Sequence, residues 1–266
     1  VVRREEQGII RYVHMSTGNY NDDTAKLYAD MSLFTANSQI GNDATLFFNM
    51  ISGYSAIQSM QKLFIAPINL KSKLLEMIER ETQHSTPETP GFIMAKMNSI
   101  GEKDIIDALY NASNHSVRIL LNVRGICMLV PGVPGQSENI RVSSIVGRYL
   151  EHARIFYFQN GGNEEIYLSS ADWLSRNLNH RVELMFPILQ KDLFEDIKKT
   201  LEAYFRDNCS SHYLSSNGSW IARTPINGEE KLNIQKYLNN KYKKIAENEN
   251  KEVPTEFFVR RTDKHK

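Results

Sequence analysis

Apolar positions recur along this chain with two different periods, and each predicts its own kind of element. In LKSKLLEMIERETQ, Leu70, Leu74, Leu75 and Ile78 fall on one helical stripe behind Asn69, a residue suited to capping. A second stripe through Leu193, Ile197, Leu201 and Phe205 predicts a helix over residues 189–207. Short apolar runs predict strands over 92–97 and 117–123, with a helix over 102–112 between them. That β-α-β order is the mark of a parallel crossover.

The first sixty residues give shorter signals. VVRR looks like the end of a strand whose first half is missing, so the chain is expected to be a fragment of something longer. A turn over 5–8 leads to a returning strand over 9–13, then His14 and a loop over 15–19. A strand over 26–35 and a helix over 43–52, capped by Asn42 or Asp43 and stopped at Gly53, complete the region. A polar passage with Ser55, Gln58, Ser59 and Gln61 precedes Pro67, and the expected division is 1–62 and 63–266. Further on, residues 143–150 read as a short helix and 151–158 as a strand. Gly161-Gly162 reads as a two-residue hairpin turn, with a return strand from Glu165 to Leu168. A strand over 181–188, a last helix over 229–246 and a frayed Lys-rich tail beyond Pro254 follow.

Composition adds little to this α/β picture. The chain has 266 residues, 41% hydrophobic and 24% charged, with a net charge of +1, so no global footprint for nucleic acid is expected and any positive field must be local. No apolar run approaches the length of a membrane span. Cys127 and Cys209 lie far apart and fit a reducing cytoplasm better than a disulfide or metal site. Without clustered His, Cys or carboxylate spacing, no tight metal site is expected.

The chemistry concentrates in the hairpin. If Gly161-Gly162 turns the chain, Arg154 faces Ser169 and His152 faces Ala171, with His152 and Arg154 on one strand face beside Ser169-Ser170-Ala171-Asp172. An imidazole, a guanidinium and hydroxyls converging at a strand end suit phosphate chemistry. The same order recurs earlier, because residues 9–13, STGN and KLYADMSLF match residues 165–168, SSAD and RVELMFPI, with Lys26 set against Arg181. Two similar units are therefore expected to face each other. The first-unit counterpart of His152 would lie before Val1.

The blocks YVHMSTGNYN, TAKLYADMSLFTAN, VRGICMLVPG, RYLEHARIFYF and SSADWLSRNLNHRVELMFPI closely resemble the C-terminal half of type 1 polyphosphate kinases, within the phospholipase D superfamily. The resemblance implies two phospholipase D-like units with mixed sheets flanked by helices, the first incomplete at its N-terminus. It implies reversible transfer of the terminal phosphoryl group of ATP to polyphosphate through a phosphohistidine upstream of Val1, with magnesium brought by the nucleotide. Carried over by position, Tyr28 and Arg124 would contact the nucleotide, His152 would be the second-unit histidine, and His14 matches a histidine near the site. Partners would be ATP or ADP, polyphosphate, upstream domains of the same protein and further copies of it. The location would be cytoplasmic, with peripheral membrane association left open.

Each residue also has a plainer reading. His152 can be satisfied by the backbone, Arg154 or Arg124 by a carboxylate, Arg181 by Glu183, and Tyr28 can be a half-buried core aromatic. Ser170 can serve only loop backbone, and Asp172 can be a helix cap. Two other functions remain open at this point: a phospholipase D-like phosphodiesterase or nuclease, and a non-catalytic nucleotide- or polyanion-binding fragment.

Overall fold

The computed structural model describes residues 1–6, 8–53 and 59–249. The expected tail beyond Pro254, and Ser55 and Gln58 of the polar passage, lie outside them. The first unit begins with β1 (Val2–Glu5) and β2 (Gly8–Arg11), an antiparallel pair. Next come β3 (Val13–Ser16), the short α1 (Asp22–Ala25), β4 (Tyr28–Ala29), β5 (Ser32–Thr35) and α2 (Ser38–Ile51). The second unit opens with β6 (Phe64–Ala66), α3 (Leu70–His84), β7 (Phe92–Met97), α4 (Lys103–Asn114), β8 (Arg118–Val123) and β9 (Ile140–Ile145). It continues through β10 (Leu150–Glu151), β11 (Arg154–Phe158), β12 (Glu165–Ser169) and β13 (Glu183–Pro187). It closes with α5 (Lys191–Arg206), β14 (Ser211–Leu214), β15 (Trp220–Ala222) and α6 (Ile234–Glu249).

A nine-stranded mixed sheet runs β15-β14-β9-β8-β7-β11-β12-β13-β6. The expected crossover is present, since β7 and β8 pair in parallel and α4 connects them. On one face, α3 and α4 bury Leu70, Leu74, Met77, Ile105 and Leu109 against Ile119, Phe156 and Trp173. On the other face, Met15, Leu33 and Ile40 of the first unit join Leu168, Phe186 and Leu201 of the second in one apolar cluster. A fully buried side chain of this size contributes about 1.5–3 kcal/mol, so this shared cluster is enough to seat the first unit on the sheet. Among the described residues, no helix is long and apolar enough to cross a membrane.

Several expectations need correction. Residues 140–145 form a strand, not the start of a helix, because IRVSSI lies between β8 and β14 and nearly all of it is buried. Strand β3 runs through His14 to Ser16, so the loop expected over 15–19 begins later, and the strand expected over 26–35 is two short ones. The helix α2 starts earlier than expected, with Asn37 accepting from the amides of Gln39 and Ile40. Asp43 is instead buried inside that helix, where its carboxylate accepts from the amides of Gln61, Lys62 and Leu63. The hairpin register is as expected, with Arg154 opposite Ser169, but the ladder ends at Phe158 and Glu165. A short 3-10 turn over Asn160–Gly162 connects the strands, with positive φ at Asn160, Gly161 and Gly162. The sheet's outer strands β14 and β15 and the edge strand β6 carried no sequence signal.

Candidate functional site

At the start of β11 the chain changes partners. The amides of His152 and Ala153 both donate to the Ala29 carbonyl, at 3.1 and 2.9 Å, while β10 just before them pairs in parallel with β4 of the first unit. Two successive amides on one oxygen leave no regular ladder, so the chain kinks at His152 as it passes from the first unit into the main sheet. The kink sets His152 at the junction between the units, 9% exposed.

Its ring is held on three sides. Nδ1 lies 2.9 and 3.0 Å from the two carboxylate oxygens of Asp30. The Tyr28 ring packs at 4.8 Å between centroids, and Arg154 Nη1 lies 3.2–3.3 Å from both ring nitrogens. With Asp30 ionised, Nδ1 carries a proton and Nε2 is left for other work. Burial pushes the Asp30 carboxyl upward, but hydrogen bonds from His152 and Thr17, with the charge of Arg154, hold it below its ordinary value.

Arg154 is buried, and its guanidinium is largely engaged with the protein. Nε and Nη2 donate to the two oxygens of Asp172, at 3.3 and 3.0 Å, while Nη1 donates to the carbonyls of Thr17 and His152. Asp172 also accepts from the amides of Asn98 and Ser99, at 2.7 and 3.2 Å. Replacing such a pair by apolar groups is often neutral, whereas removing one partner costs about 3–5 kcal/mol. The pair therefore acts mainly to fix geometry. Arg124 is half-exposed, and among the described residues its side chain bonds Asn98, which in turn reaches the His152 carbonyl at 3.4 Å.

The remaining expected residues lie apart from this cluster. His14 bonds the Tyr20 hydroxyl at 3.0 Å and stacks on the exposed Phe34 at 4.1 Å, on the strand face opposite Met15. Arg181 is exposed just before β13 and does not pair with Glu183, whose carboxylate accepts from Ser170 and from Asn177 at 2.7 Å.

The internal repeat is closer than the sequence reading made it. Val13, Met15 and Ser16 of β3 pair with Thr35, Leu33 and Ser32, and Leu168 and Ser169 pair with Phe186 and Met185 in the same register. The loop bonds match one for one. Gly18 N donates to Ser16 Oγ as Ala171 N does to Ser169 Oγ, at 3.1 and 3.0 Å. Met31 N donates to Thr17 Oγ1 as Leu184 N does to Ser170 Oγ, both at 3.0 Å. Thr17 donates to Asp30 as Ser170 donates to Glu183. The loops are therefore equal in length, and Tyr28, not Lys26, corresponds to Arg181. The earlier match was two residues out, which concealed Asp30 as the counterpart of Glu183. Asn98, at the end of β7, had no signal in sequence.

The carboxylates nearest the site, Asp30 and Asp172, already bond protein groups. Among the described residues, no three His, Cys, Asp or Glu side chains could together hold a metal ion.

Two family models match the chain: polyphosphate kinase C-terminal domain 1 over residues 1–57 and polyphosphate kinase C-terminal domain 2 over residues 63–235. A polyphosphate kinase of Rhodopirellula baltica is 47% identical over 248 residues, 93% of this chain and 29% of that protein. One from Synechocystis is 50% identical over 235 residues, 88% of this chain and 32% of that protein. The crystal structure of a polyphosphate kinase from Porphyromonas gingivalis superimposes with a TM-score of 0.85 at 37% identity, covering 90% of this chain and 37% of that one. The chain thus spans about a third of the length of the curated relatives it matches.

Proposed function

The chain belongs to the polyphosphate kinase family, and we propose that it forms the C-terminal catalytic portion of an ATP:polyphosphate phosphotransferase. In this reading His152 and its supports are one half of the phosphoryl-transfer site. The observation that carries it is a crossed arrangement: the second-unit histidine is bonded by a carboxylate of the first unit, Asp30. By the repeat, Glu183 of the second unit would bond a histidine of the first, and Arg181 would take the place that Tyr28 has over His152.

The strand register supports a position for that histidine. Val1 and Tyr12 exchange both backbone hydrogen bonds, each 2.8 Å. Continued upstream, the same pairing sets the partner of Gly18 as far before Val1 as Gly18 is beyond Tyr12, or six residues. Gly18 corresponds to Ala171, which His152 faces by the same extension of its own ladder. In the longer polypeptide the nucleophilic histidine is therefore proposed six residues before Val1, with the counterpart of Arg154 two residues after it.

Phosphoryl transfer depends on positioning and charge neutralisation. His152 would donate from Nε2 to a phosphate oxygen while Asp30 balances the charge on the ring. Arg154 acts as a positioning residue, holding the ring against Tyr28. Arg124, half-exposed and bonded to Asn98, and exposed Arg181 retain donors for substrate phosphates. Tyr28 presents aromatic surface to the nucleotide beside His152. Magnesium would arrive on the ATP phosphates, and no step here is assigned to it. The same reading gives ATP, ADP and polyphosphate as ligands, upstream domains and further copies as partners, and a cytoplasmic site of action.

In the full-length protein, His152→Ala is expected to lower ATP-dependent polyphosphate synthesis by about 100-fold or more. Labelled ATP and recovery of acid-insoluble polymer measure it, and synthesis near the wild-type rate would overturn the assignment.

A further inference from the structure

Behind His152 lies a buried polar cluster that the proposed chemistry does not use. Lys96, fully buried in β7, donates to the Ala153 carbonyl at 3.1 Å and pairs with Glu151 at the same distance. Burial drives the Lys96 ammonium downward in pKa, and the Glu151 charge opposes that shift. Glu151 also accepts from the Tyr204 hydroxyl on α5 and from Gln235 Nε2 on α6, each at 2.8 Å.

Gln235 makes three bonds with a single carboxamide. Besides Glu151, its Nε2 donates to the Tyr149 carbonyl at 2.8 Å, and its Oε1 accepts from the Tyr149 amide at 3.0 Å. It sits in the first turn of α6, the part of that helix that is buried, and the helix start is fixed by Ile234 N donating to buried Asp207 at 2.7 Å. The neighbouring chain leaves space for the carboxamide. A Cβ at Gly147 would lie 2.5 Å from Gln235 Oε1 and 2.7 Å from its Cδ. Gly147 has no positive φ, so its missing side chain meets a need for room and not for unusual backbone.

We infer that Gln235, reaching from α6 across Gly147, is a positioning residue for the His152 site, and that the start of α6 is thereby part of the catalytic framework. Gln235 fixes Tyr149, just before β10, and Glu151, at the end of that strand. That strand pairs with Tyr28 and Ala29, and these lead directly to Asp30. One carboxamide thus sets the registry of both groups that touch the His152 ring from the first unit. Loosening it lets Tyr28 and Asp30 shift against His152 without removing any group that meets substrate.

The inference rests on the assignment of His152, so both are measured in one assay of the full-length protein. Gln235→Ala and Gly147→Ala are each expected to lower kcat for polyphosphate synthesis about tenfold or more, since a displacement near 1 Å at a reacting group can cost about 100-fold. The KM for ATP should stay within about twofold. Because both changes displace the same carboxamide, the double variant should be no worse than the poorer single one. Leu238→Ala, which loosens α6 through its apolar contacts, should lower Tm but leave kcat within about twofold. If Gln235→Ala keeps wild-type kcat while His152→Ala abolishes synthesis, the inference is wrong and the site stands. Loss in Leu238→Ala equal to that in Gln235→Ala would also overturn it, by showing a general effect of helix stability. If His152→Ala is itself active, the underlying site assignment fails instead.

Discussion

The loops after β3 and β12 share length, register and three matched hydrogen bonds, yet they differ at the places where they would meet a histidine. The first presents Tyr28 and Asp30; the second presents Arg181 and Glu183. Around His152 the aromatic and the shorter carboxylate make a tight, nearly buried nest. Around Glu183 a longer carboxylate and an exposed guanidinium leave a more open, more cationic one. A cation beside a histidine that takes up a phosphoryl group offsets the negative charge gained, whereas a phenol ring does not. Under the proposed function the same scaffold would separate two roles: one histidine to accept phosphate, one to donate a hydrogen bond to it.

The anchors of the two loops also differ. Asp172 is buried against Arg154, while its counterpart Asn19 is exposed. Asp172→Ala should therefore destabilise the protein by about 3–5 kcal/mol, whereas Asn19→Ala should cost less than about 1 kcal/mol. Urea unfolding of the chain measures both, and equal losses would remove the distinction.

Next in size are the carboxylates. Glu183→Gln in the full-length protein should lower phosphoenzyme formation from ATP about 100-fold, because Gln cannot balance charge on the first-unit histidine. A rapid-quench assay of the phosphoenzyme reads this directly, and a normal rate would break the crossed arrangement.

The smallest effect is on acid stability. Asp30 is held below its ordinary pKa, so its contribution is present above the unfolded value of about 3.9 and is lost as pH falls through the lower folded value. Asp30→Asn should be less stable than wild type at pH 7, with the gap closing as the pH drops below about 4. Unfolding midpoints over that range test it; a gap that widens in acid would give the wrong sign.

Much of the second unit was legible because its signals are local. Strands β7 and β8 are apolar runs flanking an amphipathic helix, and the β11–β12 register follows from where the glycines fall. Residues whose environment comes from distant chain were not legible. The serines of β9 look like helix or loop until β8 and β14 bury them on both sides. Asp30 reads as an ordinary acidic residue until β4 meets β10, a contact of two residues on each side. Gln235 lies in a polar, Lys-rich helix, and nothing within that helix indicates that its carboxamide is buried. His152, Arg154 and the hydroxyl loop were found because they are neighbours in sequence or across one hairpin; Tyr28 and Asp30, which hold the His152 ring, come from the other unit.

In the proposed function, His152 assists a histidine contributed by the preceding segment. Brief incubation of the full-length protein with γ-labelled ATP and magnesium, followed by alkaline-stable peptide mapping, tests it most directly. The phosphoryl group is expected on a histidine six residues before Val1, with none on His152. Label on His152 itself would contradict it.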